Sequence, residues 1–346
     1  MNKKLTVFAI VLVIVGIVGT VSSAIASVPY FVNTVSKIEK ELNKETVIFN
    51  ENLKIDKLNV STKNGQVLIK KHDEDSVMIV QKGKEGSNEY EINNNKNELL
   101  IAEKDNKHDA KEVRNLNNLS DLINLMIQEV YSYNVNSIIV YLPNDVDINV
   151  STNTGPLIVG DDVLSKNLTF NTISGNISLP NKVKELDNLE ITSNNYIQLS
   201  ISELLGIKDV KIRSNSVNIY SNENDIFIDN IEEYIPNNMD IFNNSEYGNI
   251  NVGVDIPVAK NLNIDAQKSN VNLDLPIGKY KINLDLKSLQ NIDISNIFEN
   301  NIINENERLK YENIRELNGN LNQNVDTLGK EYNVKVKSND IDIYDN

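Results

Sequence analysis

The chain has 346 residues, of which 40% are hydrophobic and 6% aromatic, and it contains neither cysteine nor tryptophan. The absence of cysteine excludes disulfide bonds, thiol catalysis, cysteine-ligated metal centres and a lipid-modified cysteine. The formal net charge is −15, and no stretch of clustered lysine and arginine is visible. Because binding to phosphates requires basic patches, this charge argues against nucleic acid as a partner.

The N-terminal segment predicts export. Residues 1–4 carry two lysines and precede an uncharged, apolar segment at residues 5–27, which is long enough for a helix across the roughly 30 Å hydrocarbon layer of a membrane. The positive end is expected to stay in the cytoplasm, so that the rest of the chain lies outside a single-pass membrane anchor. The alternative is a cleaved signal peptide and a secreted protein, since Ala24–Ala26 fits a small-x-small cleavage site.

After a short stalk at residues 28–45, residues 46–346 are predicted to form one extracellular all-β domain. Its first part shows period-2 alternation or β-branched runs between polar turn residues, which is typical of strands. The strand candidates are Thr46–Phe49, Leu58–Val60, Val67–Ile69, Val77–Val80, Tyr90–Ile92, Leu99–Ile101 and Ser137–Pro143.

Residues 111–131 break this pattern. Their apolar residues follow the i, i+3, i+4 rule and predict an amphipathic helical insertion. Such a helix caps an exposed end or face of the sheet, or it docks a partner or a membrane. Its polar face lacks the lysine and arginine of a membrane-surface helix, which favours the cap.

A strand–turn–strand unit then returns at a nearly constant interval. Copies start at residues 148, 168, 189 and 210, in steps of 20, 21 and 21 residues. In the clearest copies apolar residues fall at offsets 0, 2, 9 and 11, as in Leu168, Phe170, Ile177 and Leu179. A fixed period of this kind predicts a β-solenoid-like stack in which neighbouring units bury a common core.

Stacking in parallel would align equivalent residues of successive units. The expected interior rows are Leu168, Leu189 and Val210, and Phe170, Ile191 and Ile212. Thr169, Glu190 and Lys211 would lie in an outward row. An antiparallel meander would use the same alternation, so periodicity leaves the choice between the two open.

The C-terminal part continues with weaker signals. Strands are predicted at Tyr280–Leu286 and Gln290–Ile294, and the last strands at Tyr332–Val336 and Ile341–Tyr344. Between these pairs, residues 300–331 are dominated by Asn, Glu and Lys. They read as a loop insertion or a weak helix.

The units share a Thr-x-x-Gly turn, and an earlier segment reads Ile-x-Val-Tyr-Leu-Pro. In the segments Ser137–Pro143, Asn149–Val159 and Thr169–Leu179 the chain resembles the bacterial "putative adhesin" β-strand-repeat family. The resemblance implies a membrane protein of the cell envelope, in some cases encoded beside envelope-stress regulators. It supplies no catalytic residues. The turn glycine is present at Gly65, Gly155 and Gly175 and is missing from later units.

A search for catalytic and ligand-binding motifs predicts no catalytic, cofactor-binding or metal-binding residue. His72 and His108 lie among charged residues, which suggests exposed loops, and no nucleophile elbow is present. Asp73–Asp75 and Asp161–Asp162 offer oxygen ligands without the spacing of a calcium loop. Gly83–Lys84 lacks the remaining residues of a phosphate-binding loop, so no nucleotide site is expected.

The sequence therefore favours a non-enzymatic, membrane-anchored cell-surface β-repeat protein, either an adhesin or a scaffold associated with envelope stress. Its expected partners are the membrane, through the N-terminal helix, and another envelope protein or a surface polymer. The alternative is a β-helix polysaccharide lyase or glycoside hydrolase. Hydrolysis of a glycoside needs two facing carboxylates, and no such pair stands out in the sequence.

Overall fold

The computed structural model describes Lys40 and residues 43–83, 89–104, 137–221, 230–294, 315–321 and 330–345. The predicted cytoplasmic end, the membrane anchor at residues 5–27, most of the 28–45 stalk and the 111–131 helix lie outside these residues. Within the described residues, no helix has the length and apolar character to cross a membrane.

Strands dominate the described residues, which contain twenty-two of them. The N-terminal strands are β1 (Glu45–Glu51), β2 (Lys57–Thr62), β3 (Gln66–Lys71), β4 (Val77–Lys82), β5 (Tyr90–Asn95), β6 (Glu98–Glu103) and β7 (Ser137–Leu142). The repeating strands are β8 (Asp147–Thr152), β9 (Leu157–Val159), β10 (Asn167–Thr172), β11 (Ile177–Ser178), β12 (Leu186–Ser193), β13 (Tyr196–Ser200), β14 (Ile207–Arg213), β15 (Ser216–Tyr220), β16 (Asn238–Phe242) and β17 (Asn249–Gly253). The C-terminal strands are β18 (Asn261–Leu275), β19 (Lys281–Ser288), β20 (Ile292–Asp293), β21 (Glu316–Leu321) and β22 (Glu331–Asp345).

Helix is nearly absent from the described part of the chain. A single turn, α1 (Ile201–Leu204), follows β13, and a 3-10 turn at Ile231–Glu233 precedes β16. The all-β class predicted from alternation is therefore confirmed for the described residues.

The strand–turn–strand units stack in parallel, which resolves the choice that periodicity left open. The first strands of successive units, β2, β8, β10, β12, β14, β16 and β18, pair side by side and continue into β22 and β19. We call this layer the long sheet. The second strands form a facing layer, through β3, β9 and β11 and through β13, β15 and β17, which continue into the C-terminal halves of β18 and β22.

The core lies between the two layers and follows the predicted rows. The strand register sets Leu168, Leu189 and Val210 level with one another. It likewise aligns Phe170, Ile191 and Ile212, which are all fully buried. Because each such side chain contributes about 1.5–3 kcal/mol when it leaves water, continuous aliphatic rows stabilise units that could not bury these residues alone.

Antiparallel strands close the N-terminal end of the stack. β7 runs parallel to β3 but antiparallel to β4, and β4 pairs antiparallel with β1. In the other layer β6 extends the long sheet beside β2 and forms an antiparallel hairpin with β5. Only the repeating part of the described chain is therefore a purely parallel stack.

The C-terminal end departs from the sequence prediction in two ways. Glu316–Leu321, inside the segment predicted as a loop insertion, forms β21 and pairs antiparallel with β19. The loop prediction is wrong for these residues, because an exposed edge of β19 supplies backbone partners that no local pattern reveals. The last two predicted strands are one continuous strand, β22, which crosses from the long sheet into the facing layer.

The Thr-x-x-Gly motif has a structural cause at the edge where each unit turns. The buried Thr152 hydroxyl donates to the Gly155 carbonyl at 2.7 Å, and its oxygen lies 3.1 Å from the Thr172 hydroxyl of the next unit. A Cβ atom at Gly155 would collide with the backbone carbonyl of Gly65, and one at Gly175 would collide with that of Gly155. Glycine is required here because consecutive turns stack with no space for a side chain.

Candidate functional site

The outward face of the long sheet carries an asparagine ladder. Asn167 Nδ2 donates to Asp147 at 2.9 Å, and Asn188 Nδ2 donates to Asn167 at 2.7 Å. A second run starts at Asp209 and continues through Asn238, Asn261, Asn333 and Asn283, with each Nδ2 donating to the preceding member at 2.7–3.1 Å. In each run the first side chain is an aspartate, which can only accept, and so the amides all point the same way.

A second outward column lies two residues further along each strand and carries charges. Thr169, Glu190 and Lys211 lie level, as predicted, and Asp240 and Asn263 continue the column. Glu190 forms ion pairs with Lys211 at 3.7 Å and with Arg213 at 2.6 Å. Exposed pairs of this kind contribute about 0–1 kcal/mol each, so they arrange the surface more than they stabilise the fold.

Together the two columns form a hydrogen-bonded surface, which we call the polar wall. A shallow open groove of about 550 Å³ crosses it over β10, β12, β14, β16 and β18. Polar side chains from both columns line this groove, including Asn167, Thr169, Glu190, Lys211 and Asn263. The wall therefore offers regularly spaced donors and acceptors to a partner.

A cleft opens at the opposite edge of the stack, where the chain returns from the facing layer to the long sheet. Two adjoining cavities of about 280 and 700 Å³ share Leu164, Ser165, Val183, Lys184, Glu185 and Leu186. We call them the return-edge cleft. The smaller cavity reaches Ile148 and Leu168 of the core rows, and so its floor is apolar.

Lys184 is the chemically unusual group of this cleft. Its Nζ donates to the carbonyl oxygens of Lys182 at 2.9 Å and Ser202 at 3.2 Å. Burial lowers the pKa of Lys184 from 10.5 to about 7 and outweighs the opposing effect of Glu203, while Lys182 lowers it further. At neutral pH this amine is therefore close to half protonated.

Glu203 lies on α1, and backbone amides fix the position of its carboxylate. Its Oε1 accepts a hydrogen bond from the Leu179 amide at 3.0 Å, and its Oε2 accepts one from the Ser200 amide at 2.9 Å. The buried hydroxyls of Ser200 and Ser202 lie 2.8 Å apart. Both carboxylate oxygens of Glu203 are thus used by the backbone.

Aspartates gather on the outer face of the other layer, close to the C-terminus. Asp342 lies directly opposite Asp293 on the neighbouring strand. Burial raises the pKa of Asp342, and repulsion by Asp340 and Asp293 raises it further. Burial and two nearby aspartates raise the pKa of Asp274 in the same way. Within the described residues, no group of three or more His, Asp or Glu side chains has a metal-binding arrangement.

The residues considered for chemistry from the sequence do not come together. His72 is half-buried in a turn, where its Nδ1 accepts from the Glu74 amide at 3.1 Å and its ring meets Tyr141 edge to face. Asp161 and Asp162 are exposed at the rim of the return-edge cleft, and Asp162 pairs with Lys182 at 3.5 Å. His108 and Lys84 lie outside the described residues.

Sequence reasoning missed Lys184. It lies in a connection between β11 and β12, and the groups that bury it come from other connections distant in sequence. No local spacing or motif marks it. The asparagine ladder, by contrast, left a signal in the recurrence of Asn or Asp immediately before the first apolar residue of each unit.

The fold and the polar wall define an all-β repeat protein whose units stack in parallel. The model of the Toastrack DUF4097 family matches residues 55–345. The chain belongs to this family, and the resemblance to "putative adhesin" β-strand-repeat proteins read from its motifs is confirmed. A comparison with curated proteins found no match.

Two solved structures match most of this chain, but with low sequence identity and low structural similarity. One is a "putative adhesin" from Bacteroides fragilis, 9% identical, with a TM-score of 0.44 over 87% of this chain and 97% of that chain. The other is a "putative cell adhesion protein" from Clostridium sporogenes, 13% identical, with a TM-score of 0.20 over 88% of this chain and 99% of that chain. At these scores the fold assignment rests on the strand pairing and on the family match.

Proposed function

We propose that this chain is a non-enzymatic β-repeat protein of the cell surface, held to the membrane by residues 5–27, and that the polar wall is its contact surface. The contact is with another envelope molecule, either a protein or a surface polymer, in the manner of an adhesin or an envelope scaffold. The observation that carries the proposal is the continuous wall of outward amides and charges across the parallel strands.

The chemistry of the wall suits reversible contact better than catalysis. Its carboxylates are engaged along the ladders: Asp209 accepts from Asn238, Asp240 accepts from Asn263 at 2.9 Å, and Glu190 pairs with two cations. A hydrolytic site needs two carboxylates that face each other across a bound substrate. A repeat surface instead binds through many similar contacts along its length.

The absence of cysteine from the sequence permits a direct test of surface exposure. In the full chain, Asn263→Cys places one thiol on the exposed wall, and Ala266→Cys places one in the buried core of the same strand. Intact producing cells are treated with a maleimide that does not cross membranes. We expect labelling of Asn263→Cys in intact cells and no labelling of Ala266→Cys.

Two outcomes would contradict the proposal in different ways. If Asn263→Cys is labelled only after lysis, the domain does not face the outside and the localisation is wrong. If the labelled protein accumulates in the culture medium without its N-terminal peptide, the chain is exported but not anchored. Labelling of Ala266→Cys in intact cells would indicate an unfolded domain and would invalidate the comparison.

A further inference from the structure

The return-edge cleft has the geometry of a small-molecule site. Its two adjoining cavities, of about 280 and 700 Å³, fall near the size range of ligand pockets, roughly 300–1,000 Å³. The floor consists of the buried core residues Leu168 and Leu186, and the exposed Leu164 stands at the rim. An apolar floor with few polar groups is the usual composition of such pockets.

Lys184 places a half-buried cation beside this apolar floor, and other charged side chains line the walls of the cleft. An ammonium group has three N–H donors, and two of them are accepted by backbone carbonyls. Glu203 lies near enough to raise the pKa of Lys184, but its oxygens accept from backbone amides, and within the described residues no carboxylate forms an ion pair with Lys184. The described part of the protein supplies two hydrogen bonds to this ammonium group and no third one.

Two other cationic groups of the cleft form ion pairs. Lys182 pairs with Asp162, and Lys208 pairs with Asp187. A buried charge without a partner is costly, and it is stabilised by any anion that reaches it. A ligand cation would instead be repelled by the ammonium group.

We propose that the return-edge cleft binds a small amphiphilic acid, with its apolar part between Leu164, Leu168 and Leu186 and its acidic group at Nζ of Lys184. The acid supplies the missing acceptor and compensates for the desolvation of the ammonium. Because the pKa of Lys184 without a ligand is about 7, binding is coupled to uptake of a proton. The ionisable side chains that line the cleft with Lys184 are Lys71, Asp161, Asp162, Lys182 and Glu185 in the smaller cavity, and also Asp145, Lys166, Asp187, Lys208, Glu233 and Tyr234 in the larger one. Glu203 and Lys182 act directly on the pKa of Lys184.

The test uses the full chain with 1-anilinonaphthalene-8-sulfonate, whose apolar rings and anionic group match the cleft and whose fluorescence reports burial. Lys184→Met removes the anchor and keeps the apolar stem, so we expect binding to weaken about tenfold or more, as for loss of a charge-assisted hydrogen bond. Lys211→Met, a change of charge on the polar wall, is the matched control and leaves binding unchanged. Circular dichroism and thermal melting confirm that each variant is folded.

Competition identifies the acidic class. Octanoate and octyl phosphate should displace the probe, and the stronger competitor distinguishes a carboxylate from a phosphate ligand. Octylamine, with the same chain and opposite charge, should displace it poorly. If octylamine displaced the probe as well as the two acids do, the cleft would bind apolar chains without regard to charge, and the proposal would be overturned.

A second variant and a second measurement protect the conclusion against a folding artefact. Leu164 is 42% exposed, so Leu164→Asp is expected to fold. It removes apolar contact area from the cleft and adds a carboxylate that repels an anionic ligand, and so it should weaken binding. Octanoate should also slow acetylation of Lys184 relative to Lys211, as followed by peptide mapping. Unchanged probe binding in Lys184→Met, or the absence of protection by octanoate, would contradict the proposed site.

Discussion

Lys184→Met gives the sharpest test of the electrostatics of the fold. Burial lowers the pKa of Lys184 from 10.5 to about 7, so between these values the unfolded chain keeps a proton that the folded chain releases. Stability must therefore rise with pH across this window and be lowest below pH 7, where the folded state has to hold a desolvated ammonium. Methionine has a stem of similar length and no ionisable group, and it removes this dependence.

The size of the effect follows from linkage. One pKa unit corresponds to about 1.36 kcal/mol. With a folded-state pKa of about 7 the slope is half-maximal at pH 7, so the full shift would give about 2.3 kcal/mol between pH 7 and pH 9. Lys184 retains some contact with solvent, which reduces the expected gain to about 1–1.5 kcal/mol.

Urea unfolding at pH 7, 8 and 9, followed by circular dichroism, measures this gain in both proteins. We expect the free energy of unfolding of the wild type to rise by that amount while Lys184→Met stays level, with equal m-values. Other ionisable groups contribute equally to the pH dependence in both proteins, so their contributions cancel in the difference. Equal slopes for the two proteins would show that the amine is not desolvated, and both the lowered pKa and its role in the cleft would be refuted.

Three further substitutions test other parts of the structure. Asp342→Asn removes a carboxylate whose pKa is raised by burial and by neighbouring aspartates. It should stabilise the protein by about 0.2–1 kcal/mol at pH 7, and this advantage should fade as the pH falls through the raised pKa of Asp342. A melting temperature below that of the wild type at pH 7 would contradict the prediction. Phe170→Ala empties the largest fully buried position and should cost about 3–5 kcal/mol in urea unfolding; a loss below 1 kcal/mol would mean that the rows do not form one core. Gly155→Ala should lower the free energy of unfolding by about 1–3 kcal/mol or more, because the added Cβ atom collides with the Gly65 carbonyl. Gly319→Ala is the control and should be neutral, because a Cβ atom there has no neighbour within 4 Å. Equal stability of the two variants would contradict the close stacking of the turns.

Much of the fold was accessible from the sequence because its information is local and repeated. Alternation assigns Leu168 and Phe170 to the interior, and a constant step between units aligns them with their counterparts in the next strand. The direction of pairing was not accessible, since parallel and antiparallel strands share the same alternation. That choice is made by backbone hydrogen bonds between residues about twenty positions apart.

The missed features depend on tertiary contacts. β21, Glu316–Leu321, has only two strongly apolar residues and a central glycine, and it becomes a strand because β19 offers a free edge. The unusual chemistry of Lys184 arises because separate connections meet around it and partly shield it from water. No pattern in the neighbouring sequence encodes that meeting.

Photo-crosslinking from the polar wall tests the central functional claim most directly. A benzophenone maleimide is attached to Asn263→Cys on the wall or to Gln198→Cys, which is equally exposed on the outer face of the facing layer. Intact cells carrying each full-length variant are irradiated and the adducts are analysed by mass. We expect a discrete adduct with an envelope molecule from position 263 and none from position 198. Equal adducts from both positions, or an adduct from position 198 alone, would contradict the assignment of the polar wall as the contact surface.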